Sequence, residues 1–208
     1  MTKPAPDFLL ESAAFDRGAF YVCGVDEVGR GPLAGPVTAA AVRLDPNNIP
    51  KGLNDSKKLS AKRREALSAE LYECADVSVA HATVQEIDQI NILRASHLAM
   101  CRAIAGLAGR ADFALIDGNL LPRDLTIPAA AIVKGDTQSL SISAASIVAK
   151  VCRDLVMVDL AQQHPGYGWE TNAGYGTAMH LSALRNIGVT PHHRQTFKPI
   201  HNILYQEK

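Results

Sequence analysis

The sequence predicts an α/β domain with a helical C-terminal part. Short apolar segments that end in a glycine and an acid recur at "FYVCGVD", "DFALIDGN" and "AAAIVKGD", as strands do where they run into tight turns. Segments with helical spacing lie between and after them. Beyond about residue 140 only helical and glycine-rich sequence remains, so strands come first and helices close the chain.

Residues 1 to about 18 read as an N-terminal extension without the long apolar stretch of a signal peptide. Residues 20–26 form a buried strand, and "VTAAAVRL", 37–44, a second that returns beside it. Ser60 is the N-cap of a helix with Ala66, Leu67, Leu71 and Cys74 on one face. "ADVSVAHATV" is a further strand. Thr83 and Glu86 have capping-box spacing and open a long helix that ends near Gly109. Its apolar stripe is Ile87, Ile90, Leu93, His97, Met100, Ile104 and Leu107, which makes His97 a core histidine with a satisfied hydrogen bond. Two short strands follow, ending in Asp117-Gly118 and Gly135-Asp136. "SISAASIVAKVCRDLVMVDLAQQ" is a small-residue helix stopped by His164-Pro165-Gly166. A glycine-rich loop, "PGYGWETNAGYG", leads to a helix from about Thr177 to Asn186, and the tail has room for one more.

At 208 residues and 47% apolar content, the chain suits a single domain, 1–208, with its helical C-terminal part at about 165–208. Four scattered cysteines with no C-x-x-C argue against disulfides or zinc and for a reducing, cytoplasmic setting. No apolar run is long enough to span a bilayer. The 21 basic and 21 acidic residues cancel, which by itself speaks against a nonspecific nucleic-acid binder. The cancellation hides segregation. Residues 51–65 carry six basic and two acidic side chains, and four of the seven histidines lie in the last 30 residues.

Asp26-Glu27, Asp117 and Asp136 share one setting, the carboxyl end of an apolar strand, where open α/β sheets bind their ligands. Carboxylates brought together repel unless a hard, oxygen-liganded cation such as Mg²⁺ or Mn²⁺ neutralises them. An Asp-Gly after a strand also suits a plain turn. "GRGPLAGP" lacks both the dinucleotide and the P-loop spacing. The residues alone lead to a metal-dependent hydrolase.

"GVDEVGRGPLAGPV", "LNDSKKLS", "EIDQINIL", "LIDGN", "VKGDTQSLSISAASIVAKVCRD", "GYGT" and "HHRQTF" occur in this order from about residue 20 to about residue 200. Together they resemble bacterial ribonuclease HII, the type 2 ribonuclease H family. The resemblance implies a ribonuclease H-like mixed sheet flanked by helices. It implies endonucleolytic cleavage of RNA in RNA–DNA hybrids, and incision 5′ of single ribonucleotides embedded in duplex DNA that leaves a 3′-hydroxyl and a 5′-phosphate. On the same resemblance Asp26, Glu27, Asp117 and Asp136 hold two divalent ions, Mg²⁺ or Mn²⁺, for an in-line displacement.

The resemblance also assigns substrate contacts. Gly29, Arg30 and Gly31 read the 2′-hydroxyl at the junction, largely through backbone groups, and Tyr175 packs on the neighbouring sugar. Lys57, Lys58 and Lys150 are candidates for phosphate contacts, with a solvated helix start as the other reading for Lys57 and Lys58. Ser143 and Ser146 are expected to pack beside the site first and to contact backbone second. His192, His193 and Arg194 match the tail signature, with a structural or DNA-facing role as open as a catalytic one.

Relatives often carry a basic residue just before the GY of "GYGT", where this chain has Asn172 and Ala173, so one phosphate contact is missing. The tail shows no obvious sliding-clamp motif, and a monomer is expected. Ribonuclease HIII is the sister reading. Arg30 and the shortness of the segment before the first strand favour HII. A silent hybrid-binding protein would have lost an acid, and all four are present.

Overall fold

The computed structural model describes residues 5–205 and builds one sheet. Strands β1 (Val22–Val28), β2 (Val37–Arg43) and β3 (Asp76–Ala82) form an antiparallel meander. Strands β4 (Phe113–Asp117) and β5 (Ala129–Ile132) join in parallel on the other side of β1, giving the order β3-β2-β1-β4-β5. This is the mixed sheet expected from the sequence.

Strand periodicity divides the core. On β2, Val37, Ala39 and Ala41 face helix α3 (Val84–Ala105), in one cluster with Cys23, Val25, Ala114 and Ile116. Ala40 and Val42 face the other way, onto helices α2 (Ala61–Cys74) and α4 (Leu140–Gln163). Small side chains let α4 come close. A Cβ on Gly24 would lie 2.1 Å from the Ser141 carbonyl carbon, so any larger residue would push α4 off β1. Gly24 shares its strand face with Asp26 two residues on, and this close contact therefore sets the wall beside that acid.

Helix caps follow the sequence. The Ser60 hydroxyl accepts from Arg63 N at 3.3 Å, and the Thr83–Glu86 capping box closes with bonds of 2.8 and 3.2 Å. Ser139, two residues before the start of the small-residue run, caps α4 through Ile142 N at 3.1 Å.

Three features depart from the sequence reading. The N-terminal extension contains a helix, α1 (Leu9–Asp16). Its buried Glu11 accepts from Ser141 N at 2.9 Å and from the Ser139 and Ser141 hydroxyls at 2.5 Å each, an acid at the positive end of α4. Helix α3 is broken at Asn91, whose φ of +67° is non-helical and whose side chain re-caps the chain at Leu93 N (3.0 Å) and Arg94 N (3.2 Å). The break shifts the helical phase. Ala95, Ser96, Ala99 and Ala103 join the core, and His97 is left half-buried with no hydrogen bond among the described residues. His97 is thus not the satisfied core histidine that the unbroken stripe predicts. The glycine-rich loop also holds a short helix, α5 (Trp169–Asn172), ahead of α6 (Ala178–Ile187) and α7 (Lys198–Tyr205).

The C-terminal helices have their own cluster, in which Leu33, Ala34, Met157, Tyr167, Trp169, Leu184 and Ile200 are buried together. Leu33 and Ala34 come from the loop after β1, so this cluster ties the tail to the sheet. All four cysteines are free, and among the described residues no helix is long and apolar enough to cross a membrane.

Candidate active site

β1, β4 and β5 run parallel, so their carboxyl ends share one edge. The register pairs Val25 with Ile116 and therefore brings Asp26 beside Asp117. Asp117 pairs with Ile132, and the chain reaches Asp136 four residues later. Lys134 turns it there with φ +57°, a left-handed conformation that costs a lysine about 1–2 kcal/mol. The turn aims the Gly135 N–H at Asp117 Oδ1, 2.6 Å away, and leaves Asp136 in the first turn of a 3-10 helix. A Cβ on Gly135 would sit 2.5 Å from the Ile142 side chain. The strand reading of 129–136 thus ends early, because the last four residues form this turn.

The acids are poorly compensated. Burial, and then the charges of Glu27, Asp117 and Asp136, push Asp26 well above the usual carboxylate range against one hydrogen bond from Glu27 N at 2.7 Å. Glu27 is raised by burial and by Asp117, and held back by Arg30 at 3.2 Å. Asp136 is raised by burial, Asp117 and Asp55, with Lys57 opposing. Among the described residues no three acid, histidine or cysteine side chains close round a common point, so the four carboxylates line an edge and do not form a finished coordination shell. An all-oxygen donor set whose members repel one another fits Mg²⁺ or Mn²⁺ and does not fit zinc.

Asp117 and Asp136 open onto a cleft of about 360 Å³ whose other walls are Asp55, Lys57, Lys58, Lys134 and Thr137. Lys57 and Lys58 are exposed on a 3-10 turn capped by the Asp55 carboxylate through Lys57 N at 2.9 Å. Sequence reading singled out neither Asp55 nor Lys134. The "NDSKK" cap pattern and the residue before Gly135-Asp136 were the available signals.

The expected recognition residues meet on the C-terminal side. Gly29 has φ +93°, and a Cβ there would lie 2.1 Å from Arg153 Nε, so only glycine fits. Arg30 is exposed. A Cβ on Gly31 would be 3.3 Å from the Tyr175 ring, which places Tyr175, itself 48% exposed, directly beside the glycine loop.

Other expected contacts are not brought to the cleft. Lys150 Nζ is 2.7 Å from Asp154 on its own helix. Ser143 and Ser146 are buried inside α4, and the Ser146 hydroxyl donates to Ser143 O at 2.9 Å. Both hydroxyls are buried, that of Ser143 with no partner among the described residues, so packing, the first expectation, is the role the structure gives them. His193 and Arg194 are wholly buried, which rules out direct DNA contact.

Comparison with known proteins shows the family. The family model described as Ribonuclease HII matches residues 23–201. Ribonuclease HII of Cereibacter sphaeroides is 70% identical over 207 residues, covering 100% of this chain and 98% of the relative. That of Paracoccus denitrificans is 65% identical, covering 98% and 97%. Among solved structures, ribonuclease H2 from Pyrococcus horikoshii OT3 superposes with a TM-score of 0.73 at 28% identity, covering 88% of this chain and 97% of that one. Bst-RNase HIII in complex with Mn²⁺ has a TM-score of 0.74 at 20% identity, covering 92% and 71%, a likeness of fold. The chain belongs to the ribonuclease HII family and is, with it, a ribonuclease H, a hydrolase.

Proposed function

We propose that this ribonuclease cuts the RNA strand of RNA–DNA hybrids and incises 5′ of single ribonucleotides embedded in duplex DNA, leaving a 3′-hydroxyl and a 5′-phosphate. The observation that carries the reading is the meeting of two features along one edge: uncompensated acids at the strand ends, and a glycine loop lying against the Tyr175 ring.

Asp26, Glu27, Asp117 and Asp136 would hold Mg²⁺ or Mn²⁺. When bound, a pair of such ions supplies a more acidic water and offsets charge on the leaving oxygen of an in-line displacement. The remaining work falls to the chain itself. Lys57, Lys58 and Lys134 line the cleft as donors to phosphate, positioning a duplex without reading its sequence. The 29–31 backbone, bare of Cβ atoms at Gly29 and Gly31, can approach a sugar edge closely enough to hydrogen-bond a 2′-hydroxyl. The half-exposed Tyr175 ring presents a flat apolar face to the next sugar and so favours a deoxyribose there. Gly135 N holds the Asp117 carboxylate in orientation through its 2.6 Å hydrogen bond.

The test is a labelled DNA duplex with one internal ribonucleotide, beside an all-DNA control, in Mg²⁺, Mn²⁺ or EDTA. Nicking 5′ of the ribonucleotide that needs metal and spares the control is expected. Tight hybrid binding by a folded protein with no nicking in either metal would overturn it in favour of a silent binding protein.

A further inference from the structure

Two motifs singled out in the sequence, "EIDQINIL" and "HHRQTF", have no place in the chemistry above. The structure joins them behind the glycine loop. Residues 192–194 lie along residues 33–35: Gly35 N donates to His192 O at 2.9 Å, Arg194 N donates to Leu33 O at 2.9 Å, and Ala34 and His193 form an antiparallel bridge. From this added rung the Arg194 guanidinium, wholly buried, reaches under the loop. Its Nη2 donates to Gly29 O at 2.6 Å and to Gly35 O at 2.9 Å, its Nη1 to Arg30 O at 2.9 Å and its Nε to Gly35 O at 3.0 Å. Among the described residues no carboxylate pairs with it. A buried cation whose donors all end on main-chain carbonyls is a splint for that main chain.

Asp88 of α3 fixes the splint from outside. Its carboxylate accepts from Gln195 N and Thr196 N, both at 3.0 Å, and from the Thr196 hydroxyl at 2.7 Å. The same segment also reaches Tyr175. His193 Nδ1 accepts from Thr190 N at 2.9 Å, so its proton lies on Nε2, which at 3.0 Å shares the His180 Nε2 acceptor with the Trp169 indole N–H at 3.1 Å. His180 Nδ1 then donates to Tyr175 O at 2.9 Å. One stretch of tail thus holds both the loop at 29–31 and the backbone of the tyrosine facing it.

We infer that Arg194, anchored by Asp88 through Gln195 and Thr196, is a positioning residue for ribonucleotide recognition. It touches no substrate. It holds the carbonyls of Gly29 and Arg30 so that the opposite edge of this backbone is presented, at fixed spacing from Tyr175, to the sugar. The inference rests on the proposed reading of the glycine loop. Most duplex affinity comes from phosphate contacts elsewhere, so a loosened loop should misalign the junction more than it weakens binding.

Arg194→Lys removes the fork and keeps the charge, and Asp88→Asn loosens the anchor at a site that is not fully buried. Both are assayed for cleavage of the single-ribonucleotide duplex. In an Asp26→Asn background, silent for cleavage, binding to ribonucleotide-containing duplex is compared with binding to all-DNA duplex. With Arg194→Lys, kcat should fall about 10- to 100-fold, as misplacement on the ångström scale does. KM should stay within about threefold, and the preference for the ribonucleotide duplex should shrink toward one with all-DNA affinity unchanged. Asp88→Asn should move the same readouts less, and it decides the matter if Arg194→Lys does not fold. Folded variants that keep wild-type kcat and preference, or a loss that only tracks the folded fraction, would overturn the inference alone. Failure of the wild-type protein to cut the ribonucleotide duplex would overturn the functional reading and this inference with it.

Discussion

The strand ends and the glycine loop that follows β1 are built on opposite electrostatic plans. On the strand-end side four carboxylates stand together, with Arg30 opposing the rise at Glu27 and Lys57 that at Asp136. On the loop side two guanidiniums are buried behind the glycine turn and every contact they make is satisfied. Arg194 serves Gly29, Arg30 and Gly35, and Arg153 donates to Pro36 O at 2.9 Å, Ala173 O at 2.9 Å and Ala34 O at 3.1 Å. Burial, and for Arg194 the neighbouring Arg153, draws these groups down to about 9 and about 10, so both stay charged at neutral pH. On the proposed reading the acid edge is an unfinished site that a cation would complete. The loop is finished in advance, which is what a backbone used as a ruler requires.

Breaking the acid edge should have the largest effect on activity. Asp117→Asn should lower cleavage by about 10³-fold or more in gel assays, since it removes an oxygen donor for the metals. Breaking the loop comes next. Gly29→Ala places a methyl against Arg153 at a φ of +93° and should cost about 2–4 kcal/mol in denaturant unfolding, with loss of ribonucleotide cleavage. Tyr175→Ala should lower kcat/KM on the ribonucleotide duplex about tenfold while leaving stability within about 1 kcal/mol, because half of the ring is already exposed. The lysines divide by position. Lys57→Ala and Lys58→Ala should each raise KM about threefold and flatten its salt dependence. Lys150→Ala should change KM less than twofold, since its ion pair with Asp154 is the kind worth about 0.3–0.5 kcal/mol.

Much of this was legible in the sequence, and unevenly. The strand-end acids were legible because apolar runs ending in Asp-Glu, Asp-Gly and Gly-Asp fix both the face and the edge before any tertiary contact is known. The Thr83–Glu86 cap was legible because it is local. The break at Asn91 was not: an apolar stripe read at one period passes through a residue whose side chain re-caps the chain. Helix α1 was missed because its stability comes from Glu11 bonding to Ser139 and Ser141, about 130 residues away. The same distance hid the role of Arg194. A sequence shows that an arginine is present, and it does not show that four loop carbonyls surround it. Ser143 and Ser146 were expected to pack beside the site first and to contact backbone second, and both lie buried in α4.

The contrast between the two sides has a sign that stability measurements can read. A carboxyl raised in the folded state stabilises the fold fully below its unfolded pKa, and that stability is lost as pH rises through the raised value. Metal-free protein should therefore lose stability as pH rises above the ordinary carboxylate range and Asp26, Glu27 and Asp136 ionise, while activity in the presence of metal rises with the same ionisations. The most direct test is the melting temperature of Asp26→Asn beside the unaltered protein at pH 8 in EDTA. An asparagine keeps an oxygen for the bond from Glu27 N and cannot take on the charge that burial disfavours, so the variant should melt higher although it cannot cut. A variant that melts lower than the unaltered protein would contradict the account, because the acid edge would then be a stabilising network and not a site awaiting its metal.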